Sequence, residues 1–551
     1  MKSIIFSLIL FLLFVNLNKA NDNSSCTVYI NIQSPNTKQP CGETIETACQ
    51  EFLTAVQSCN TTAFNTTTYY FSPATYSFEG IDPFGSIVNK TINIINQEYS
   101  VDKDTSYTSV IFDLKGATNS FFNVQHNLIS DISNINITGI TFINGYQESQ
   151  ASVFVNHGTY GTYSFESCVF ENNTMKSGTN VSNGGSFSVL QSSLNDVVLQ
   201  ASTLNINKCT FQNTSNMGVT GGLFYIDNNV RVVLNIEESS FTNINGDYGS
   251  ILYNGNKLLS STISISNTVI SKCIATNSTI YLVGSTQVYN VTFSDNTGGG
   301  VGFQFTSSSA VSTLFSYCNF IDNVNITPIY SFKSGLGVSL YKCVFSNNYY
   351  SQTVDRNGAL TLSDSTASVS YCQFYNNYAI NGSSIYATNF LYNDPISIFN
   401  SSFVSNTAQY GGVFISQGAL FLKDNTTFAN NIASFGSAIS CFDSTIVFNQ
   451  TSIITFTNNT DTNGGNNSNG LGCGSNSGCV IKGNIPNNID TKTCGVVPDK
   501  NEKPGLSAGK KALIAIAIVA FVIILIVALI FTLRKIKQRG AYKPIGTSNH
   551  F

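Results

Sequence analysis

Between Phe142 and Phe456 the apolar residues fall in short alternating runs broken by Asn, Gly or Ser, and no unit carries a helical period. One run keeps returning. YKCVFSNN spans Tyr341–Asn348 and YCQFYNN spans Tyr371–Asn377, while CVFENN, CTFQN and CNFIDN start at Cys168, Cys209 and Cys318. SFVSN, TFANN and TFTNN repeat the pattern around Phe403, Phe428 and Phe456 with the cysteine replaced. Aligned on the aromatic residue, the series reads Phe142, Phe170, Phe211, Phe241, Phe293, Phe320, Phe345, Phe374, Phe403, Phe428 and Phe456. Most intervals are 25 to 30 residues, and the longer ones leave room for loops or for a degenerate unit near Cys273.

Cys and Phe stand two apart, so on a strand they point to one side and the residue between them to the other. The Asn three after Phe is expected at the turn, in the left-handed conformation and bonded to its own backbone. A second element follows: GGSF at Gly184, GGLFYI at Gly221, YGSILY at Tyr248, NGSSIY at Asn381, YGGVFI at Tyr410 and FGSAIS at Phe435. Glycine permits the corner, and the alternation after it starts another strand. A third short strand, such as ASVSY before Cys372 or DPISIF before Phe403, completes the unit.

One such unit cannot bury its own Phe, but stacked units can, with Phe on Phe and Asn on Asn. The pattern therefore predicts a parallel β-helix over residues 70–460, roughly 65 Å long at ~4.8 Å per rung. A chain of antiparallel sandwiches is the second architecture. It does not explain why the same residue types return at the same phase.

The ends change the picture. Residues 1–20 have Lys2, an apolar run Ile4–Val15 and a polar stretch ending at Ala20, the layout of a signal peptide. Ala512–Leu533 is an uncharged stretch of 22 residues, about 33 Å as a helix and enough to span a bilayer. Arg534, Lys535, Lys537 and Arg539 follow it, so residues 534–551 are expected in the cytosol and the rest outside, in a single-pass type I arrangement. Charged residues are only 10% of the chain and the net charge is −4, which argues against nucleic acid as a partner.

The paired F-x-x-N and G-G-A-I elements resemble the repeats of chlamydial polymorphic membrane proteins, which are β-helical adhesins. The front end resembles the entry to the pectin lyase-like right-handed β-helices: TIETACQEFLTAVQ as a short capping helix, then YYFSPATYSF, SVIFDLKG, SFFNV and INITGITFING. The resemblance covers most of residues 42–460. It implies an all-β, right-handed parallel β-helix ectodomain with a short N-terminal capping helix; the uncharged stretch Ala512–Leu533 adds one transmembrane helix. Residues 21–69 then form a Cys-rich N-terminal cap, and residues 461–511 a Cys-containing C-terminal cap with a Gly-, Asn- and Pro-rich stalk. The resemblance speaks for fold more than function, because this scaffold hosts lyases, hydrolases and binders.

Fourteen cysteines suit an oxidising compartment. Cys26, Cys41, Cys49 and Cys59 are expected to staple the N-terminal cap, in any of three pairings. Cys441, Cys473, Cys479 and Cys494 lie near the C-terminal cap and read as disulfides in preference to zinc ligands. Cys168, Cys209, Cys273, Cys318, Cys343 and Cys372 are expected at one phase of the repeat, with Cys343–Cys372 as the best disulfide candidate and a ladder of buried thiols as the alternative. Seventeen Asn-x-Ser/Thr sites include Asn60, Asn136, Asn213, Asn325, Asn400 and Asn458, offered as glycosylation candidates, although a chain this rich in Asn, Ser and Thr produces such sites by chance.

For chemistry, the polygalacturonase-like members of the fold use clustered Asp with Gly-His-Gly and Arg-x-Lys. Here Asn156–His157–Gly158 is the nearest approach, and no acidic pair stands beside it. Asp102 and Asp104 lack further calcium ligands nearby, and Asp355–Arg356 is expected to be a surface pair. No catalytic, cofactor-binding or metal-binding residues are assigned. A non-catalytic glycoprotein of the plasma membrane or endolysosomal membrane, acting in adhesion or recognition of an extracellular glycan or protein, is the leading expectation. A membrane-anchored polysaccharide lyase or glycoside hydrolase is the alternative. Tyr349, Tyr350, Tyr375, Tyr378 and Tyr386 are candidates for a contact patch. In the tail, Tyr542–Lys543–Pro544–Ile545 resembles the Y-x-x-Φ sorting signal read by clathrin adaptors, making Tyr542 and Ile545 the sorting candidates.

Overall fold

The computed structural model describes residues 25–496, except 39–40, 60–64, 83, 100–108, 118, 126–130, 148–150, 176–183, 192–200, 229, 256–260, 307–312, 334–336, 352–356, 389–394, 450–452, 464–469, 475–477 and 492–493. The expected signal peptide, the span Ala512–Leu533 and the sorting motif lie outside this range. Among the described residues no helix is long and apolar enough to cross a membrane.

The described chain is an all-β parallel β-solenoid of the right-handed type. One sheet of 17 strands runs in chain order from Ser25–Ile30 through Thr66–Phe71 to Val480–Gly483 and Gly495–Val496. Its inward positions alternate along each strand, as in Leu204 and Ile206, Leu234 and Ile236, then Ile263 and Ile265, all buried. A second system of 28 strands carries the other two faces, one holding the Cys-x-Phe strands and one the strands that follow glycine. The two faces join because strands such as Ser240–Asn254 bend round the corner, pairing first with Val269–Ser271 and then with Ile274–Leu282.

The phenylalanines stack in register. Phe320, Phe345, Phe374, Phe403, Phe428 and Phe456 lie 4.6 to 4.9 Å apart, with planes within 13°. Phe142, Phe170, Phe211 and Phe241 form an earlier stack. Ile270 separates the two, at the same register position between Phe241 and Phe293. Ile270 therefore centres the degenerate unit expected near Cys273.

The asparagine three after Phe does something other than turn the chain. The left-handed residue is the one before it, as at Asn347 (φ 55°), Asn376 (φ 55°) and Asn430 (φ 56°). Asn296, Asn323, Asn348, Asn377, Asn406, Asn431 and Asn459 then point inward and bond across rungs. Asn377 Nδ2 donates to Phe345 O (2.9 Å) and Asn406 Oδ1 (3.0 Å), while its Oδ1 accepts from Asn348 N (3.2 Å) and Asn348 Nδ2 (2.9 Å). Both amide hydrogens and both lone pairs are used, which is what a buried amide requires.

Glycine is required where the chain enters the third face. Gly411 has φ 58°, and a Cβ at Gly222 would collide with the Ser250 carbonyl of the next rung. At the ends the sheets run further than the repeat suggests. Ser25–Ile30 pairs with Thr66–Phe71 inside the expected N-terminal cap, and Leu471–Cys473 and Val480–Gly483 continue both sheet systems inside the expected stalk. A helix, Phe52–Ser58, packs Phe52 against Phe71, Phe78, Phe84 and Phe121.

Candidate functional site

The sulfur chemistry sorts by position. Cys26–Cys59 and Cys41–Cys49 are bonded at the N-terminal end, and Cys441–Cys479 and Cys473–Cys494 at the C-terminal end. The Sγ atoms of Cys441, Cys473 and Cys479 lie close enough together to suggest a metal, but all three are in disulfides and none offers a thiolate. Cys343 and Cys372, expected as a disulfide, are free buried thiols, as are Cys168, Cys209, Cys273 and Cys318. Strands in parallel register project their Cα–Cβ bonds in parallel, whereas a disulfide needs the two to turn toward one another. Each thiol instead donates to the carbonyl two residues back, Cys343 to Tyr341 O (3.6 Å) and Cys372 to Ser370 O (3.3 Å). Ser239 and Ser401 occupy the same column and make the same bond. Cys273 departs from the expected phase. It takes the asparagine position, its N–H donating to Asn296 Oδ1 (2.9 Å), and burial pushes its thiol up to about 12.

Of the glycosylation candidates, Asn213, Asn325, Asn400 and Asn458 sit in left-handed turns (φ 54°, 54°, 49° and 53°). Asn136 lies within the strand Asn134–Thr138, its Nδ2 donating to Asn93 Oδ1 (2.8 Å), and Asn60 lies outside the described residues. Asp102, Asp104 and Asp355–Arg356 also lie outside. Asn156, in the nearest approach to Gly-His-Gly, is buried and ties a turn, accepting from Thr159 N (2.7 Å) and donating to Thr159 O (3.0 Å). A cavity of about 390 Å³ beside the helix, lined by Ile32, Gln50, Glu51, Leu53, Tyr76 and Ile81 among others, holds one carboxylate.

The tyrosine patch divides. Tyr349 and Tyr378 are exposed and stacked at 4.7 Å, and Tyr375 is exposed, but Tyr350 is buried and Tyr386 packs on Phe414. A longer aromatic series lies at the other end of the Cys-x-Phe strands. Tyr289, Tyr317, Tyr341, Tyr371 and Phe399 follow one another on successive rungs at 5.6, 5.6, 5.7 and 6.3 Å. Their planes differ by 67°, 82°, 77° and 78°, so each ring is turned away from the next rather than stacked upon it. Tyr289, Tyr317 and Tyr371 are 50%, 41% and 48% exposed. This ladder was not singled out from the sequence, although Tyr341 and Tyr371 open the two repeated motifs and Tyr317 directly precedes Cys318.

Lys342 sits at the ladder's middle in a left-handed turn (φ 53°), its Nζ 5.2 Å from the ring centres of both Tyr317 and Tyr341. The hydroxyls of Tyr341 and Tyr317 hold its ammonium above the ordinary lysine range.

The chain matches no protein-family model, no curated protein and no solved structure.

Proposed function

We propose that this chain is a non-catalytic, single-pass type I glycoprotein of the cell surface or endolysosomal membrane, whose solenoid serves adhesion or recognition. The observation that carries the reading is the row of turned aromatic rings from Tyr289 to Phe399, three of them exposed, set at the strand ends and turns of successive rungs. Exposed aromatic rows are contact surfaces, because Tyr supplies area with little loss of freedom on binding. The parallel solenoid and its stacked F-x-x-N rungs support kinship with the pectin lyase-like and adhesin repeats. The packing of Phe52 supports the helix as a cover for the first turns. The ligand class is an extracellular glycan or protein, and the tail motif would bring a clathrin adaptor.

The test uses the full chain in mild detergent with acidic and neutral polysaccharides, following both retention and newly formed chain ends. Retention without new ends is expected. New ends would overturn the reading in favour of a lyase or hydrolase.

A further inference from the structure

We propose that the middle of the aromatic ladder, Tyr317, Tyr341, Lys342 and Tyr371, is a binding site for an acidic polysaccharide lying along the solenoid. The inference rests on the recognition reading above and gives it a place and a ligand charge.

Two adjacent columns of the fold build the site. In the strand-end column the residues in register are Tyr289, Ser316, Tyr341, Ser370 and Phe399. In the left-handed turn column they are Asn290, Tyr317, Lys342, Tyr371 and Asn400. Large and small residues alternate in the first column and the aromatics cross to the second wherever a serine stands, so the five rings zigzag. A serine beside each turn-column tyrosine leaves it room to rotate. That separates this ladder from Tyr349–Tyr378, whose planes lie within 12° and cover each other's faces. Rings turned by 67° to 82° to one another do not cover each other face to face, and the exposed Tyr289, Tyr317 and Tyr371 keep ring surface on which the C–H face of a sugar can pack.

Charge selects among sugars. Neither column carries a carboxylate over these five rungs, and Lys342 is their one cation. Among the described residues no carboxylate pairs with it. Its ammonium lies 5.2 Å from the ring centres of Tyr317 and Tyr341, which sets a positive charge beside the ladder without neutralising it. Tyr317 and Tyr371 lie two rungs apart, about 9.6 Å, one on each side of the lysine. A polymer of acidic sugars can set a carboxylate or sulfate on Lys342 while its flanking rings meet the two tyrosines. A neutral polymer leaves the lysine unused.

The experiment measures retention of the full-length chain, in detergent, on polygalacturonate, dextran sulfate and uncharged dextran at low and high salt. Binding to one or both acidic polymers but not to dextran is expected, weakening as salt screens the lysine. The polygalacturonate and dextran sulfate arms distinguish a carboxylate ligand from a sulfate. K342M should weaken that binding about tenfold, the value of one charged hydrogen bond, and K342R should restore most of it. Y317S/Y371S should weaken it about tenfold, whereas Y349S/Y378S should leave it unchanged, with unaltered melting temperature as the folding control. Equal binding by wild type, K342M and Y317S/Y371S would overturn the site while leaving recognition intact. Equal binding to dextran would overturn the acidic ligand in favour of a neutral glycan, and no binding to any of the three polymers would overturn it in favour of a protein partner.

Discussion

At the scale of single residues, the buried asparagine separates two jobs that the motif N-N runs together. Asn376 supplies the left-handed turn, and Asn377 supplies four hydrogen bonds between rungs. Asn377→Ala should cost about 1–3 kcal/mol, because the Asn348 N–H is left buried without an acceptor, whereas Asn376→Gly should be near neutral. Urea unfolding of the two variants checks the contrast. The positions were legible in the sequence but the roles were not, since Asn favours turns and burial of the second Asn follows only from the stacking. The same turn chemistry explains why Asn-x-Ser/Thr sites collect here: Asn172, Asn213 and Asn458 are left-handed residues two after Phe, which the fold draws from Asn whether or not a glycan is attached. The Cys273 thiol adds a pH dependence. Its folded pKa is raised from 9.0 to about 12, so its contribution is complete below about pH 9 and is lost as pH climbs toward 12. Stability should fall by about 1.4 kcal/mol per pH unit for this thiol across that window, and the decline should be shallower in Cys273→Ser.

At the scale of elements, the Cys-x-Phe strand is a three- or four-residue segment held between two left-handed corners, as with Lys342 before and Asn347 after Val344–Ser346. So short a strand specifies its register through what it stacks. Phe374 lies 4.6 Å from Phe345 and 4.9 Å from Phe403 with planes within 4°, fully buried. Phe374→Ala should therefore cost about 3–5 kcal/mol, measured as a lowered urea midpoint. The Phe series, the glycine corners and the third strand could all be read from spacing alone, because one strand's period and the rung's period coincide there. The phase of Cys273 could not, since Ile270 replaces the Phe that anchors the alignment and Thr268 takes the Cys column. The tyrosine ladder escaped for a related reason. Its rings alternate between two columns, so no single repeat position contains all of them.

At the scale of the molecule, seventeen strands in one sheet make a stack of about 77 Å at ~4.8 Å per rung, longer than the repeat alone suggests because the first and last strands come from the cysteine-rich ends. Stability in such a stack is shared between neighbours, not around one centre. The disulfides sit at the two ends, while the six cysteines between them are free. This has a mechanical meaning. Strand hydrogen bonds in a parallel stack run along its axis, so tension between the chain termini opens them in sequence, like a zip. Most turns are 25 to 30 residues and would each release about 80–100 Å of chain, giving a series of similar steps, with longer ones from the larger turns, in a single-molecule pulling trace. The 33-residue separation of Cys26–Cys59 and the 38-residue separation of Cys441–Cys479 should be missing from that trace until a reductant is added. A tether built this way lengthens by instalments under load, yielding turn by turn where a globular domain would let go all at once.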